Sequence, residues 1–235
     1  MPSIITHAAV PLALWCAADR GRIPPRLLAA GVIAAMLPDA DVLAFALHVP
    51  YADAFGHRGA SHSLLFACVL AMLAALLAFL AGRRPWSAQS RPGSRRPWSA
   101  QSRPGSRRPW SAQVCQPRLA PTAQAARSLP TAQAATWAST VQAGAFVFVC
   151  AASHPLLDAM TSGGLGVALA WPWSEHRFFA PWRPIRVSPF APQFFSARGV
   201  ATLLSELRWV WLPLAGAVVA WKLIQPAPAA PRDPS

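Results

Sequence analysis

LLFACVLAMLAALLAFLA, residues 64–81, decides the fold, because its 18 consecutive side chains include none that is polar. At about 1.5 Å of rise per residue such a run covers roughly 27 Å as a helix, close to the hydrocarbon thickness of a bilayer. It is expected to span a membrane. The rest of the 235-residue chain agrees: 54% is hydrophobic and 12% charged, against roughly 25% charged in a soluble domain, which argues against a water-soluble enzyme.

Four weaker apolar segments flank the run: Ile4 to Ala18, Leu27 to Leu37, Trp137 to Ala152 and Trp209 to Ile224. The last two, with their flanks, are long enough to span. The first two hold 15 and 11 residues, nearer the length of re-entrant or buried helices. The predicted class is therefore all-α, a polytopic helical membrane protein with about three to five membrane-embedded helices. The N-terminus does not read as a secretory signal, since no Lys or Arg precedes its apolar stretch and Trp15 sits where a small residue belongs. Cys16, Cys68 and Cys150 fall in apolar runs without CxxC spacing, and are expected to act as small buried hydrophobes.

The net charge of +13 is local. Ten of the 21 basic residues lie between Arg83 and Arg127, a stretch with no acidic residue, which leaves 11 basic against 8 acidic elsewhere, or +3. Within it RRPWSAQSRPGS runs from Arg83 to Ser94, repeats from Arg95 to Ser106, and begins again as RRPWSAQ from Arg107 to Gln113. Two prolines per unit with Gly and Ser leave no helix or strand period, so a flexible linker is expected. The chain thus divides into N-terminal membrane helices (1–82), a disordered basic linker (83–130), C-terminal membrane helices (131–225) and a disordered tail (226–235). Nucleic acid is not an expected partner, although Arg interleaved with Trp is the one feature that would favour it.

If the five apolar segments alternate, 15 positive charges share the side of Arg20, the repeat and Lys222, and six share the other. The first side is predicted cytoplasmic. Under that topology His7, Asp39 and Asp41 in LPDAD, His57 and His62 in HRGASH, and His154 and Asp158 in SHPLLD all fall at the opposite, extracytoplasmic face. Chance placement would scatter them. Ionisable groups at membrane depth cost about 2.5–3.5 kcal/mol each on insertion scales, so a cation that neutralises the set is expected.

Local spacing suits metal binding. Pro38 is expected to end the second helix at Leu37, and an extended segment after it would point Asp39 and Asp41 the same way. His154 and Asp158, four apart, would neighbour each other on a helix that Ser153 caps and whose first turn holds Pro155. Gly59 permits a turn in HRGASH, and Ser61 is expected to cap the following span. Mixed imidazole and carboxylate ligands suit zinc, manganese or iron, as one or two ions. His48 and His176 are read as interfacial groups, Asp19 and Asp53 as solvated ones.

The ordered motifs THAA (Thr6 to Ala9), LPDAD (Leu37 to Asp41), HRGASHSLLF (His57 to Phe66) and SHPLLDAMTSGG (Ser153 to Gly164) resemble those of the predicted membrane-bound metal-dependent hydrolases of bacterial inner membranes. They are more distantly similar to the His/Asp pattern of zinc-dependent phospholipase C. The resemblance implies a bacterial inner-membrane location and a divalent ion, zinc first. The metal shell is assigned to His7, Asp39, Asp41, His62, His154 and Asp158. His57 is either a ligand or the general acid/base, and Arg58 either holds a substrate anion or anchors at the interface. Thr161 and Ser162 are placed behind the ligands, with Gly163, Gly164 and Gly166 letting backbone approach the site.

Trp171, Trp173, Phe178, Phe179, Trp182, Phe190, Phe194 and Phe195 alternate with Arg177, Arg183 and Arg186 in the loop that follows. Aromatic rings favour the headgroup zone and arginine favours phosphate. The predicted function is hydrolysis of a phosphoester or ester of a lipid or lipid-linked substrate by metal-activated water. The alternative is a non-enzymatic membrane protein with a structural or transport metal site.

Overall fold

A computed structural model of the chain describes residues 2–19, 22–82, 122–189 and 193–225. The tandem repeat, the tail from residue 226, Arg20 and Phe190 lie outside the described residues. Among the described residues the fold is helical, with two isolated bridges, Thr161 to Ile185 and Val167 to Phe178, and no strand. The helices are α1 (Ala9–Ala17), α2 (Pro25–Met36), α3 (Leu43–Ala46), α4 (Leu64–Gly82), α5 (Thr122–Ala159), α6 (Ala197–Glu206) and α7 (Leu212–Ile224). Four continuous stretches are long and apolar enough to cross a membrane: Pro25–Ala46, Leu64–Gly82, Thr136–Ala159 and Ala197–Ile224. The N-terminal Ile4–Ala17 helix is apolar but shorter.

Three of these boundaries differ from the sequence expectation. The second segment is not an 11-residue re-entrant piece. A 3-10 helix, Leu37–Val42, continues α2 into α3, so the crossing runs for 22 residues. Pro38 ends the α-helix at Met36 but sits in the first turn of the 3-10 helix, where its missing N–H costs nothing. Asp39 and Asp41 are therefore helical rather than extended, and they face different partners. In the SHPLLD motif, Ser153 and Pro155 lie inside α5 near its C-terminus rather than at an N-cap. α5 also begins at Thr122, inside the segment assigned to the linker, where the Ala- and Gln-rich TAQAA favours helix.

Small residues bring the helices together. Ala34 and Ala35 of α2, Ala67 of α4, and Phe146, Val147, Cys150, Ala151 and Ala152 of α5 form the principal core. A Cβ on Gly31 would strike the Phe146 ring, and one on Gly144 would lie 3.2 Å from Ala75 Cβ, so both glycines set close helix approach. The outer faces are apolar, with Met72, Leu76, Leu77 and Leu80 of α4 all exposed. Where lipid tails are the solvent, such leucines need no protein cover. Cys16 and Cys68 belong to that outer surface; Cys150 alone of the three is buried.

The polar groups gather at one end of the bundle. There the N-terminal 3-10 turn Ile4–Ala8, the C-terminal ends of α2 and α5, and the HRGASH turn before α4 meet.

Candidate metal centre

The four ligand candidates reach this layer from three elements. Asp39 projects from the 3-10 helix after α2, and His62 from the 3-10 turn Ala60–His62 that precedes α4. Ser63, not Ser61, caps α4, accepting from the Phe66 N–H at 3.1 Å. His154 and Asp158 lie one turn apart on α5 and face inward together, as i,i+4 spacing requires. These four side chains are buried, and one ligand atom from each falls within 4.8 Å of all the others, a group that could hold a metal ion.

The distances are those of a shared coordination sphere. His154 Nε2 lies 3.4 Å from Asp39 Oδ1, His62 Nε2 lies 3.3 Å from Asp158 Oδ2, and the two Nε2 atoms are 2.9 Å apart. Donor atoms around a centre bonded at about 2.1 Å are spaced by about 3.0–3.4 Å. His7 completes the ring: its Nε2 is 3.6 Å from Asp39 and 3.7 Å from Asp158, and its ring stacks on His154 at 3.7 Å.

Hydrogen bonds fix the tautomers. His154 Nδ1 lies 2.7 Å from the Ala35 carbonyl, which can only accept, so Nδ1 carries the proton. His62 Nδ1 faces Asp41 Oδ2 at 3.1 Å and also holds a proton. Two Nε2 lone pairs then confront each other, an arrangement that needs a proton or a cation between them. Both His7 nitrogens and all four carboxylate oxygens of Asp39 and Asp158 are buried without a hydrogen-bond partner. Burial opposes a charge on His62, but the carboxylates of Asp158 and Asp41 outweigh it and push its pKa up to about 9.

Asp41 stands one layer behind the group. Its carboxylate meets His57 Nδ1 at 2.5 Å and His62 Nδ1 at 3.1 Å, and accepts from Ser61 Oγ at 2.7 Å and the Arg58 N–H at 3.0 Å. It orients histidines rather than joining the cluster, as outer carboxylates do in metal sites. His57 is likewise set back, its ring 5.8 Å from that of His62.

Arg58 is neither interfacial nor open to solvent. It is fully buried, with Nε 3.1 Å from Asp158, Nη1 donating to the Gly163 carbonyl and Nη2 to Thr161 Oγ1. Its backbone has φ 64°, an uncommon region for a residue this bulky. Thr161 is buried behind Asp158, whereas Ser162 is exposed. Gly163 and Gly164 approach the guanidinium of Arg58, and Gly166 the backbone at Arg177 and Phe178, so none of the three adjoins the cluster directly. Arg177 is spent on structure: it donates to the carbonyls of Tyr51, Asp53, His57 and Arg58 and pins the HRGASH turn. His48 and His176 are exposed and outside the group.

Sequence reading missed Glu206. It is buried and accepts from the Ser3 N–H and hydroxyl at 2.5 Å each and from Thr6 Oγ1 at 2.7 Å, which ties down the turn that carries His7. The signal was present: a lone carboxylate in a stretch apolar enough to span, where ionisable residues are rare.

Fold and site define a polytopic helical membrane protein with a buried Asp/His cluster fit for a metal ion. The chain matches the YdjM inner membrane protein family over residues 1–229 and belongs to it. It is similar to Inner membrane protein YbcI of Escherichia coli (strain K12), with 41% identity over 214 residues, 91% of this chain and 92% of that protein. No solved structure matches the chain.

Proposed function

We propose that the protein is a metal-dependent hydrolase of the bacterial inner membrane, acting on a phosphoester or ester of a lipid or lipid-linked substrate from the extracytoplasmic side. The supporting observation is the confrontation of His62 and His154 Nε2 at 2.9 Å, ringed by buried oxygens of Asp39 and Asp158 that accept no hydrogen bond. Asp39, His62, His154 and Asp158, with His7 beside them, hold one divalent ion; imidazole and carboxylate together suit zinc, then manganese or iron. When bound, such an ion supplies Lewis acidity and lowers the pKa of water from 15.7 to about 7. Asp41 and the Ala35 carbonyl hold the two ligand imidazoles in their binding tautomers. His57, with Nδ1 on the Asp41 carboxylate, has the oriented imidazole that carries a proton to or from a reacting group. Arg58 balances the charge of Asp158 and does not contact substrate.

A second reading, a structural or transport ion, draws support from the closure of the site, since Asp39, His62, His154 and Asp158 are at most 3% exposed and structural sites are closed. Purified wild type and His57→Ala, screened against phosphodiester, phosphomonoester and carboxylic-ester lipids with and without chelator, separate the two. The hydrolase reading expects chelator-sensitive turnover that His57→Ala lowers by about 10²–10⁴-fold with its metal retained. Bound metal without turnover on any of these substrates would leave the structural reading.

A further inference from the structure

Beyond the buried cluster, a cavity of about 690 Å³ lies between the loop that follows α5 and the start of α6. Arg183, Arg186 and Arg198 line it, and among the described residues no acidic one does. None of the three guanidinium groups makes an ion pair or a side-chain hydrogen bond among the described residues; that of Arg183 lies over the Phe179 ring at 4.7 Å. Three unneutralised cations around one hollow define an anion site, and arginine forks match phosphate oxygens.

The walls are fixed. The Ser162 N–H donates to the Ile185 carbonyl at 2.9 Å, the Arg186 N–H to Ser205 Oγ at 3.0 Å, and Thr202 Oγ1 to the Val187 carbonyl at 3.3 Å. Ser162 lines the cavity, and its neighbour Thr161 touches both the Asp158 carbonyl and Arg58, so the hollow adjoins the back of the cluster. Next to lining residues in the chain, Trp182 precedes Arg183 and is 54% exposed, and Phe195 follows Gln193 by two and is 90% exposed. Aromatic rings presented this way belong in the headgroup zone of a bilayer. An arginine-lined hollow on a loop that also exposes aromatic rings is matched by an anionic headgroup whose acyl chains stay in the membrane.

We propose that this cavity binds the phosphomonoester headgroup of a membrane lipid. Its role as the substrate's headgroup subsite rests on the hydrolase reading above; the binding itself does not. The test uses full-length protein in detergent micelles and measures equilibrium binding of dihexanoyl phosphatidic acid, inorganic phosphate and dihexanoylglycerol. Wild type is expected to bind phosphatidic acid saturably and at least about tenfold more tightly than either other probe, and Arg183→Gln/Arg186→Gln to weaken it roughly tenfold or more with metal content unchanged. Arg198→Gln is expected to act in the same direction. Equal affinity for inorganic phosphate would assign the site to the free anion and overturn the lipid assignment. Equal affinity for dihexanoylglycerol, or unaltered phosphatidic acid binding by the glutamine variants, would overturn the site itself. Asp158→Ala is expected to lose metal while keeping lipid binding, so failure of the metal reading and failure of this one are separately visible.

Discussion

Ser3 and Glu206, 203 residues apart, are joined twice: Glu206 accepts from both the backbone N–H and the hydroxyl of Ser3. The same carboxylate takes Thr6 Oγ1, which also accepts from Trp211 Nε1 at 3.2 Å. The turn Ile4–Ala8 is thereby moored to the π-helical turn Leu207–Trp211, and His7 sits in it. Glu206→Ala leaves three buried donors unpaired, at about 1–3 kcal/mol each. The expected result is a lower thermal midpoint in detergent and, because His7 is released, metal affinity weaker by roughly tenfold. Scanning calorimetry and a chelator-competition titration read the two effects.

Asp41 acts through His62. Asp41→Asn keeps the size of the side chain and removes the charge that holds the Nδ1 proton. Metal affinity is expected to fall by about 10–100-fold, as for outer groups in general. Asp39→Asn or Asp158→Asn removes a ligand oxygen and is expected to abolish stoichiometric binding. Competition against a chelator of known affinity ranks the three; equal losses would erase the distinction between inner and outer carboxylates.

Gly164 has φ 90°, and a Cβ there would lie 2.7 Å from Arg58 Nη1 and 3.0 Å from Tyr51 Oη. Gly164→Ala carries backbone strain of about 1–2 kcal/mol and displaces the guanidinium that balances Asp158. A lower unfolding midpoint is expected, whereas Gly216→Ala, with open space around it, is expected to be neutral.

Legibility in the sequence tracked how local each cause is. The 64–81 run reports its own environment, and α4 follows it to within a residue. Residue types at helix ends named the cluster, since Asp39, His62, His154 and Asp158 are costly in a membrane without one another. Layering was not legible: Asp39 and Asp41 are two apart and look alike, and only the 3-10 path after Pro38 turns one inward and the other toward His57. Arg58 read as an anion holder or an interfacial anchor because its partner, Asp158, lies a hundred residues away. Glu206 stands out as a carboxylate in an apolar stretch, but its partners, at the opposite terminus, were not legible.

The tandem repeat contains no His, Cys, Asp or Glu that could serve as a ligand. Deletion of residues 83–114 is expected to leave metal content and thermal midpoint unchanged, measured on the purified full chain and the deletion side by side.

The proposed shared cation is held by side chains from two membrane-crossing stretches and from the turn before α4. Elemental analysis of detergent-purified wild type beside Asp158→Ala tests it most directly. One divalent ion per chain is expected in the wild type and less than about a tenth of that in a folded Asp158→Ala. Metal-free wild type, or equal metal in both proteins, would contradict it.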